Sequence, residues 1–216
     1  MRQDEPDATT ARGASRDAEA AAGALLFLVG GVALLGIITA EVLYPGYTTL
    51  QEISDLGASR PPNSVIYQPS ASIFNATMLV SGALVLAGTF FAHRSLERRA
   101  VTVPLALFGA GIFGVGFFPG NVVPWHGLFA LLTFVSGGFS AVLSARVVEG
   151  PFQYLCVAFG AFSLAVLASV FVLGESNPLL VLGLGGVERL VVYPILVWVT
   201  GFGGYLLGQA SAPAQP

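Results

Sequence analysis

The sequence predicts an all-α membrane protein: a bundle of six transmembrane helices, with a short interfacial helix in its first outer loop. Only 10% of the 216 residues are charged, whereas an average soluble domain has about 25%. The mean hydropathy is +0.79, and six long apolar runs divide the chain. Because lipid offers no hydrogen bonds to a peptide backbone, such runs must cross the bilayer as helices. The lipid bilayer is therefore the predicted surroundings of most of the chain.

Each of the six apolar runs has the roughly 17–25 residues that a helix needs to cross the hydrocarbon. The predicted helices cover residues 22–44, 70–93, 101–118, 124–147, 152–173 and 185–207. Together they define one membrane domain over residues 21–208. The polar segments at either end, residues 1–20 and 209–216, have no apolar anchor and are predicted to be disordered.

The distribution of arginine predicts the orientation. All nine basic residues are arginines; three lie between the second and third runs, one lies after the fourth, and three lie in the N-terminal segment. The other side has only Arg60 and Arg189. By the positive-inside rule, both termini are predicted to be cytoplasmic, in a multi-pass protein of the cell membrane. The absence of lysine and an acidic N-terminal segment suggest a salt-adapted archaeal source. No basic patch with interleaved aromatic residues indicates a nucleic-acid partner.

The first outer loop contains the segment YPGYTTLQEISDLGASRPP. Thr49 and Glu52 are spaced as a capping box, and Gly57 suits the end of a helix. Between them, apolar residues recur every three positions and form one edge, made of Leu50, Ile53 and Leu56. This pattern predicts a short helix that lies on the membrane interface with its apolar edge down. Two interpretations stay open for the loop: a lid over a site, or a solvated connector.

Polar side chains gather near the predicted outer ends of the helices. They are Glu41, Asp55, Arg60, Asn75, His126, Glu188, Arg189 and Tyr193. An ionised group at membrane depth costs about 2.5–3.5 kcal/mol on insertion scales, so such residues usually face the protein interior and pair. The sequence therefore predicts a polar pocket that opens outward. The alternatives are that Glu188 and Arg189 reach to water, that an arginine paired with Glu41 only clamps helices, and that His126 is an interfacial residue.

Helix 4 carries a stripe of small polar residues on one face, made of His126, Thr133, Ser136, Ser140 and Ser144. Such a stripe serves either close helix packing or a hydrated path. A catalytic zinc site usually needs about three protein ligands, and the outer side offers His126 as its single histidine. No metal site is predicted, and the cofactor is left unknown.

Several short motifs resemble those of one prokaryotic membrane family, domain of unknown function 998. The motifs are PGYTTLQEISDLG, SIFN, FP, WHG and GVERLVVYP, and the resemblance covers about residues 22–208. It implies a six-helix membrane protein without an established activity. If the family has a site, the resemblance implies these motif positions for it: Asp55, Asn75, His126, Glu188 and Arg189.

The sequence leaves three functional hypotheses. The first is an integral membrane protein of unknown activity that binds a lipid, an ion or a small molecule in the outer polar pocket. The second is a membrane-embedded enzyme that acts on a lipid or polyprenoid, with His126 as its acid or base. The third is a structural membrane protein whose polar cluster holds helices together. Enzymatic activity and the oligomeric state are left open.

Overall fold

Six long helices make up most of the protein. The structure is a computed structural model that describes residues 8–212. The helices are α1 Ala8–Val42, α2 Ser70–Leu96, α3 Arg99–Phe117, α4 Trp125–Ser144, α5 Phe152–Leu173 and α6 Gly183–Ser211. Each is long and apolar enough to cross a membrane, and no strand occurs in the described residues. The predicted all-α bundle of six membrane-spanning helices is confirmed.

The helices form a closed ring. Each packs against its neighbours in sequence, α6 closes the ring by packing against α1, and α4 also touches α6. Glycine allows α1 and α6 to approach closely: a Cβ atom on Gly203 would lie 2.2 Å from the backbone nitrogen of Phe27. Small residues let membrane helices pack backbone to backbone in this way.

The first helix starts earlier than the apolar run indicates. α1 begins at Ala8, so residues 8–20 are helical where the sequence predicts disorder. This segment is rich in alanine, the strongest helix former. Arg16 also ties it to the end of α6, since its Nε atom donates to the carbonyl of Ala210 at 3.2 Å and its Nη2 atom to that of Ala212. At the other end, α6 continues to Ser211, so residues 209–211 are also helical where the sequence predicts disorder. Residues 1–7 and 213–216 lie outside the described residues.

The predicted short helix of the first loop is present as a single 3₁₀ turn, Ile53–Leu56. The capping box is not formed, because the Glu52 side chain makes no cap hydrogen bond and instead pairs with Arg60 at 2.9 Å. Ile53 and Leu56 are buried in the protein core, and Leu50 is exposed. The turn therefore fills the mouth of the ring and does not lie flat on the membrane surface.

We refer to residues 53–58 as the plug. Gly57 is in the right-handed region, with φ −85°, so the plug does not need glycine for a left-handed turn. It needs glycine for space, since a Cβ atom there would lie 2.3 Å from Oδ1 of Asn75 on α2. On the other side, a Cβ atom on Gly120 would lie 2.0 Å from the carbonyl oxygen of Ala58. The end of the bundle that holds the plug is the plug end. The opposite end, with Arg94, Arg98, Arg99 and Arg146, is the arginine end.

Candidate functional site

An ion pair joins α1 and α6 at the plug end. Nη2 of Arg189 contacts Oε1 of Glu41 and donates to the Tyr47 hydroxyl at 2.9 Å. The side chains of Arg189 and Glu41 are 11% and 22% exposed. Burial raises the pKa of Tyr47 to about 12, so its hydroxyl keeps its proton and donates to the carbonyl of Glu52 at 2.9 Å. We refer to Glu41, Tyr47 and Arg189 as the latch.

The latch also holds the first loop against the start of α6. Nη1 of Arg189 donates to the carbonyl oxygens of Thr49 at 3.1 Å and Gln51 at 3.2 Å. The backbone N–H of Gly185 donates to the carbonyl of Leu50 at 3.0 Å. A Cβ atom on Gly185 would lie 1.7 Å from the Gln51 carbonyl oxygen. The loop can dock here because the helix begins with glycine.

A cavity lies in the centre of the ring, directly below the plug. About 70 Å³ of it is open to the centres of water-sized spheres, several times the roughly 10–15 Å³ that one water needs. Five of the helices and the plug line the cavity, and α5 contributes nothing. On α1 the lining runs from Ile37 to Val29, a depth of about 12 Å at 1.5 Å per residue. The walls are apolar except for Ser54, Ser81, His126, Thr133 and Glu188.

Three of these polar residues line the cavity at the plug end. Glu188 accepts a hydrogen bond from the backbone N–H of Ile53 through Oε2. Nδ1 of His126 lies 2.8 Å from the Phe118 carbonyl oxygen. The carbonyl can only accept, so Nδ1 carries a proton, and in the neutral ring Nε2 is an acceptor. Nε2 has no hydrogen-bond partner in the described part of the chain. We refer to Ser54, His126 and Glu188 as the cap.

Two buried polar atoms have no hydrogen-bond partner among residues 8–212: Oγ of Ser81 and Oδ1 of Asn75. Ser81 is 1% exposed and lines the cavity. Asn75 lies on α2 between the plug and α3. A Cβ atom on Gly57 of the plug would lie 2.3 Å from Oδ1 of Asn75, and a Cβ atom on Gly116 of α3 would lie 2.7 Å from the backbone oxygen of Asn75. Buried polar groups in folded proteins are nearly always paired, so each such atom needs a physical explanation.

The structure places all eight predicted site residues at the plug end, in more than one group. Glu41 and Arg189 belong to the latch. Tyr193 lies one turn further along α6, and it packs against the same buried apolar cluster as Tyr47 of the latch. His126 and Glu188 belong to the cap. That these residues form a ligand pocket stays a prediction.

Of the other three predicted residues, Asp55 belongs to the plug, and Arg60 and Asn75 lie next to it. Arg60 is exposed and pairs with Glu52, and Asn75 supports the plug from behind. Burial raises the pKa of Asp55, which the nearby Arg60 partly offsets. The sequence reasoning did not single out Tyr47, Ser54 or Ser81. The hydroxyl of a serine inside an apolar helix gives no signal of its own, so only the three-dimensional structure reveals Ser81.

The hydroxyls in the polar stripe of α4 are bonded within the protein. The hydroxyls of Thr133, Ser136 and Ser140 each donate to a backbone carbonyl four residues earlier. Ser144 accepts a hydrogen bond from Nε1 of Trp198 at 2.9 Å. Because these hydroxyls are paired within the protein, the packing interpretation is favoured over a hydrated path.

Six helices that can cross a membrane, with polar residues gathered at one end, define a multi-pass integral membrane protein. The family model described as "Protein of unknown function (DUF998)" matches residues 27–205, so the chain belongs to this family. This confirms the resemblance of the sequence motifs.

No curated protein and no solved structure matches the chain. In the described residues, no group of three or more His, Cys, Asp or Glu side chains is placed to hold a metal ion. The cell membrane, the orientation and an archaeal source stay predictions.

Proposed function

We propose that the protein binds a small amphipathic molecule in the central cavity, with one apolar chain pointing into the bundle and one polar group at the cap. The observation that carries this proposal is the distribution of polarity along the cavity. Its walls are mostly apolar, and three of its five polar lining residues, Ser54, His126 and Glu188, lie at the plug end. Ligand sites are typically of this kind, mostly apolar with a few polar groups that fix orientation.

The depth of the cavity agrees with a ligand taken from one leaflet of the membrane. The lining spans about 12 Å along α1, from eight residues at 1.5 Å each. The hydrocarbon core of a bilayer is about 30 Å thick, so one leaflet contributes about 15 Å. A single chain in the cavity would reach close to the middle of the membrane.

The cap favours a hydroxyl as the polar group. Nε2 of His126 is an acceptor, the Ser54 hydroxyl both donates and accepts, and Glu188 supplies carboxyl oxygens. A hydroxyl both donates and accepts, so it matches this set without adding a charge to a buried site. Burying an unpaired charge there would cost far more.

Hexanol tests the proposal, with the purified full chain in detergent and saturable binding measured by ligand-observed NMR. Ala130 lines the cavity, so Ala130→Leu fills it and should weaken binding at least about tenfold. The matched control is Ala161→Leu, at an exposed position on α5, which should bind like the wild type. Equal saturable binding by all three proteins, or no saturable binding by the wild type, would contradict the proposal.

A second candidate function is structural, and the latch is the observation that favours it. Arg189 connects α1, the first loop and α6 through hydrogen bonds to side chains and backbone. A protein whose polar residues only hold helices together would need the latch and have no use for the cap. The two candidate functions therefore predict different results for a cap substitution: a binding protein should lose ligand affinity, and a structural protein should not.

A further inference from the structure

Ser81 is a polar group that the cap does not explain. It lies on α2, is 1% exposed, and its Oγ has no hydrogen-bond partner in the described part of the chain. Two other buried hydroxyls in the helices are paired: Thr89 donates to the Val85 carbonyl at 2.7 Å and Ser163 to that of Val191 at 2.8 Å. Ser81 differs from these two because it lines the cavity.

The depth of Ser81 follows from the glycine contacts between α2 and α3. A Cβ atom on Gly82 would lie 2.4 Å from the backbone nitrogen of Phe113, so Ser81 is close to the level of Phe113. His126 of the cap is bonded to the carbonyl of Phe118. Five residues of helix separate these two levels, which is about 8 Å at 1.5 Å per residue. Ser81 therefore lies about two-thirds of the way down the cavity.

A second hydroxyl lines the cavity close to this level. A Cβ atom on Gly111 would lie 2.5 Å from Oγ1 of Thr133, and Gly111 is two residues from Phe113. Oγ1 of Thr133 already donates to the Phe129 carbonyl at 2.8 Å, so it can still accept. Ser81 and Thr133 together make a second polar level inside otherwise apolar walls.

We infer that the ligand of this cavity carries a second hydrogen-bonding oxygen, about 8 Å from its polar head by the helix rise, and that this oxygen pairs with Ser81. The ligand class is thus a linear amphipathic chain with an oxygen at each of two levels, such as a diol or a hydroxylated or keto chain. This inference rests on the proposed function, because it assumes that the cavity is a binding site.

Two probes that differ by one hydroxyl test the inference: hexanol, and a hexanediol with one hydroxyl at each end. A buried second hydroxyl is tolerated only where it finds a partner. The measured quantity is the ratio of the hexanol Kd to the hexanediol Kd, for the full chain in detergent. Loss of one neutral hydrogen bond should lower this ratio about fivefold in Ser81→Ala.

Two more variants make the measurement specific. Ser140→Ala removes a fully buried hydroxyl that is bonded to the Ser136 carbonyl and does not line the cavity, so the ratio should stay at the wild-type value. Ser81→Cys keeps a weak donor and should give an intermediate ratio, which also covers the case that the alanine variant folds poorly.

The outcomes separate the two proposals. If hexanol binds saturably and the ratio is the same in the wild type, Ser81→Ala and Ser81→Cys, the inference about Ser81 is wrong while the proposed function stands. If neither probe binds the wild type saturably, both are wrong. A ratio that falls in Ser81→Ala and not in Ser140→Ala supports the inference.

Discussion

The latch and the cap lie side by side at the plug end, yet their hydrogen bonding differs. Arg189 and Glu188 are consecutive in sequence, and α6 turns by about 100° between them, since it has 3.6 residues per turn. Arg189 faces the first loop and bonds to Glu41, Tyr47 and three backbone carbonyls. Glu188 faces the cavity and bonds to one backbone N–H.

We interpret this difference as one between polar groups that hold the fold together and polar groups that are free to bind a ligand. A buried polar group that is fully paired holds its neighbours in place, and its loss strands a partner. A polar group that lines a cavity with bonding capacity left over contributes less to stability and can instead bind another molecule. The latch fits the first description, and the cap with Ser81 fits the second.

The largest expected effect comes from breaking the latch with Arg189→Met. The substitution leaves Glu41 without its cation and frees the loop from α6, so the free energy of unfolding should fall by about 3–5 kcal/mol, as for other buried pairs that lose one partner. Steric trapping in bicelles measures this quantity. Adding Glu41→Gln to the same chain should recover part of the lost stability, since a neutral amide then replaces the unpaired carboxylate.

Arg60→Met is the matched control for the latch. Its side chain is 61% exposed and pairs with Glu52, so its removal should change stability by no more than about 1 kcal/mol. If Arg189→Met and Arg60→Met cost the same, the latch is no more structural than a surface ion pair, and the contrast with the cap loses its basis.

The second expected effect comes from Glu188→Gln, which should change the free energy of unfolding little and the affinity for hexanol more. The amide oxygen of glutamine can still accept from the Ile53 N–H, so the free energy of unfolding should stay within about 1 kcal/mol of the wild type. Hexanol affinity should fall about fivefold, because the carboxyl is replaced by a group that bonds the ligand hydroxyl less well.

Glu175→Gln provides the comparison for this variant, since Glu175 is exposed in the 3₁₀ turn after α5 and should alter neither quantity. A Glu188→Gln protein that is as unstable as Arg189→Met, with unchanged hexanol affinity, would assign the cap to structure and leave the cavity without a binding role.

Much of the fold could be predicted because the membrane imposes it. The hydrocarbon thickness fixes the helix lengths, so the predicted ranges agree with the observed ones within a few residues, apart from the early start of α1. The end at which the polar residues gather was also predictable, because charge is costly at membrane depth.

The details of the site were less accessible to sequence. The pattern of Leu50, Ile53 and Leu56 is equally suited to a helix on the membrane surface and to a turn buried in the bundle. Which of the two forms depends on whether the bundle leaves room for these side chains at its plug end. That room is set by the three-dimensional packing of the helices and cannot be read from the sequence. The separation of Glu188 from Arg189 follows from helix rotation, but the partner of each depends on how the loop docks.

The smallest expected effect concerns the plug, which connects the latch to the cap. Burial raises the pKa of Glu52, with Arg60 partly offsetting it, and burial also raises that of Asp55. Raised values in the folded state mean that the folded protein takes up protons before the unfolded chain does. Stability should therefore increase as the pH falls from 7 toward the ordinary carboxyl value of about 4.

The gain should be modest, about 0.5 kcal/mol, since Arg60 opposes protonation and Asp55 is partly exposed. Hydrogen-exchange protection of residues 53–58, corrected for the intrinsic exchange rate at each pH, measures it. Glu52→Gln should remove most of the pH dependence, whereas Glu149→Gln, at an exposed position near the arginine end, should keep it. If protection of the plug instead falls between pH 7 and 5, the carboxylates of Glu52 and Asp55 are stabilised in the charged form. The plug would then share the fully paired character of the latch.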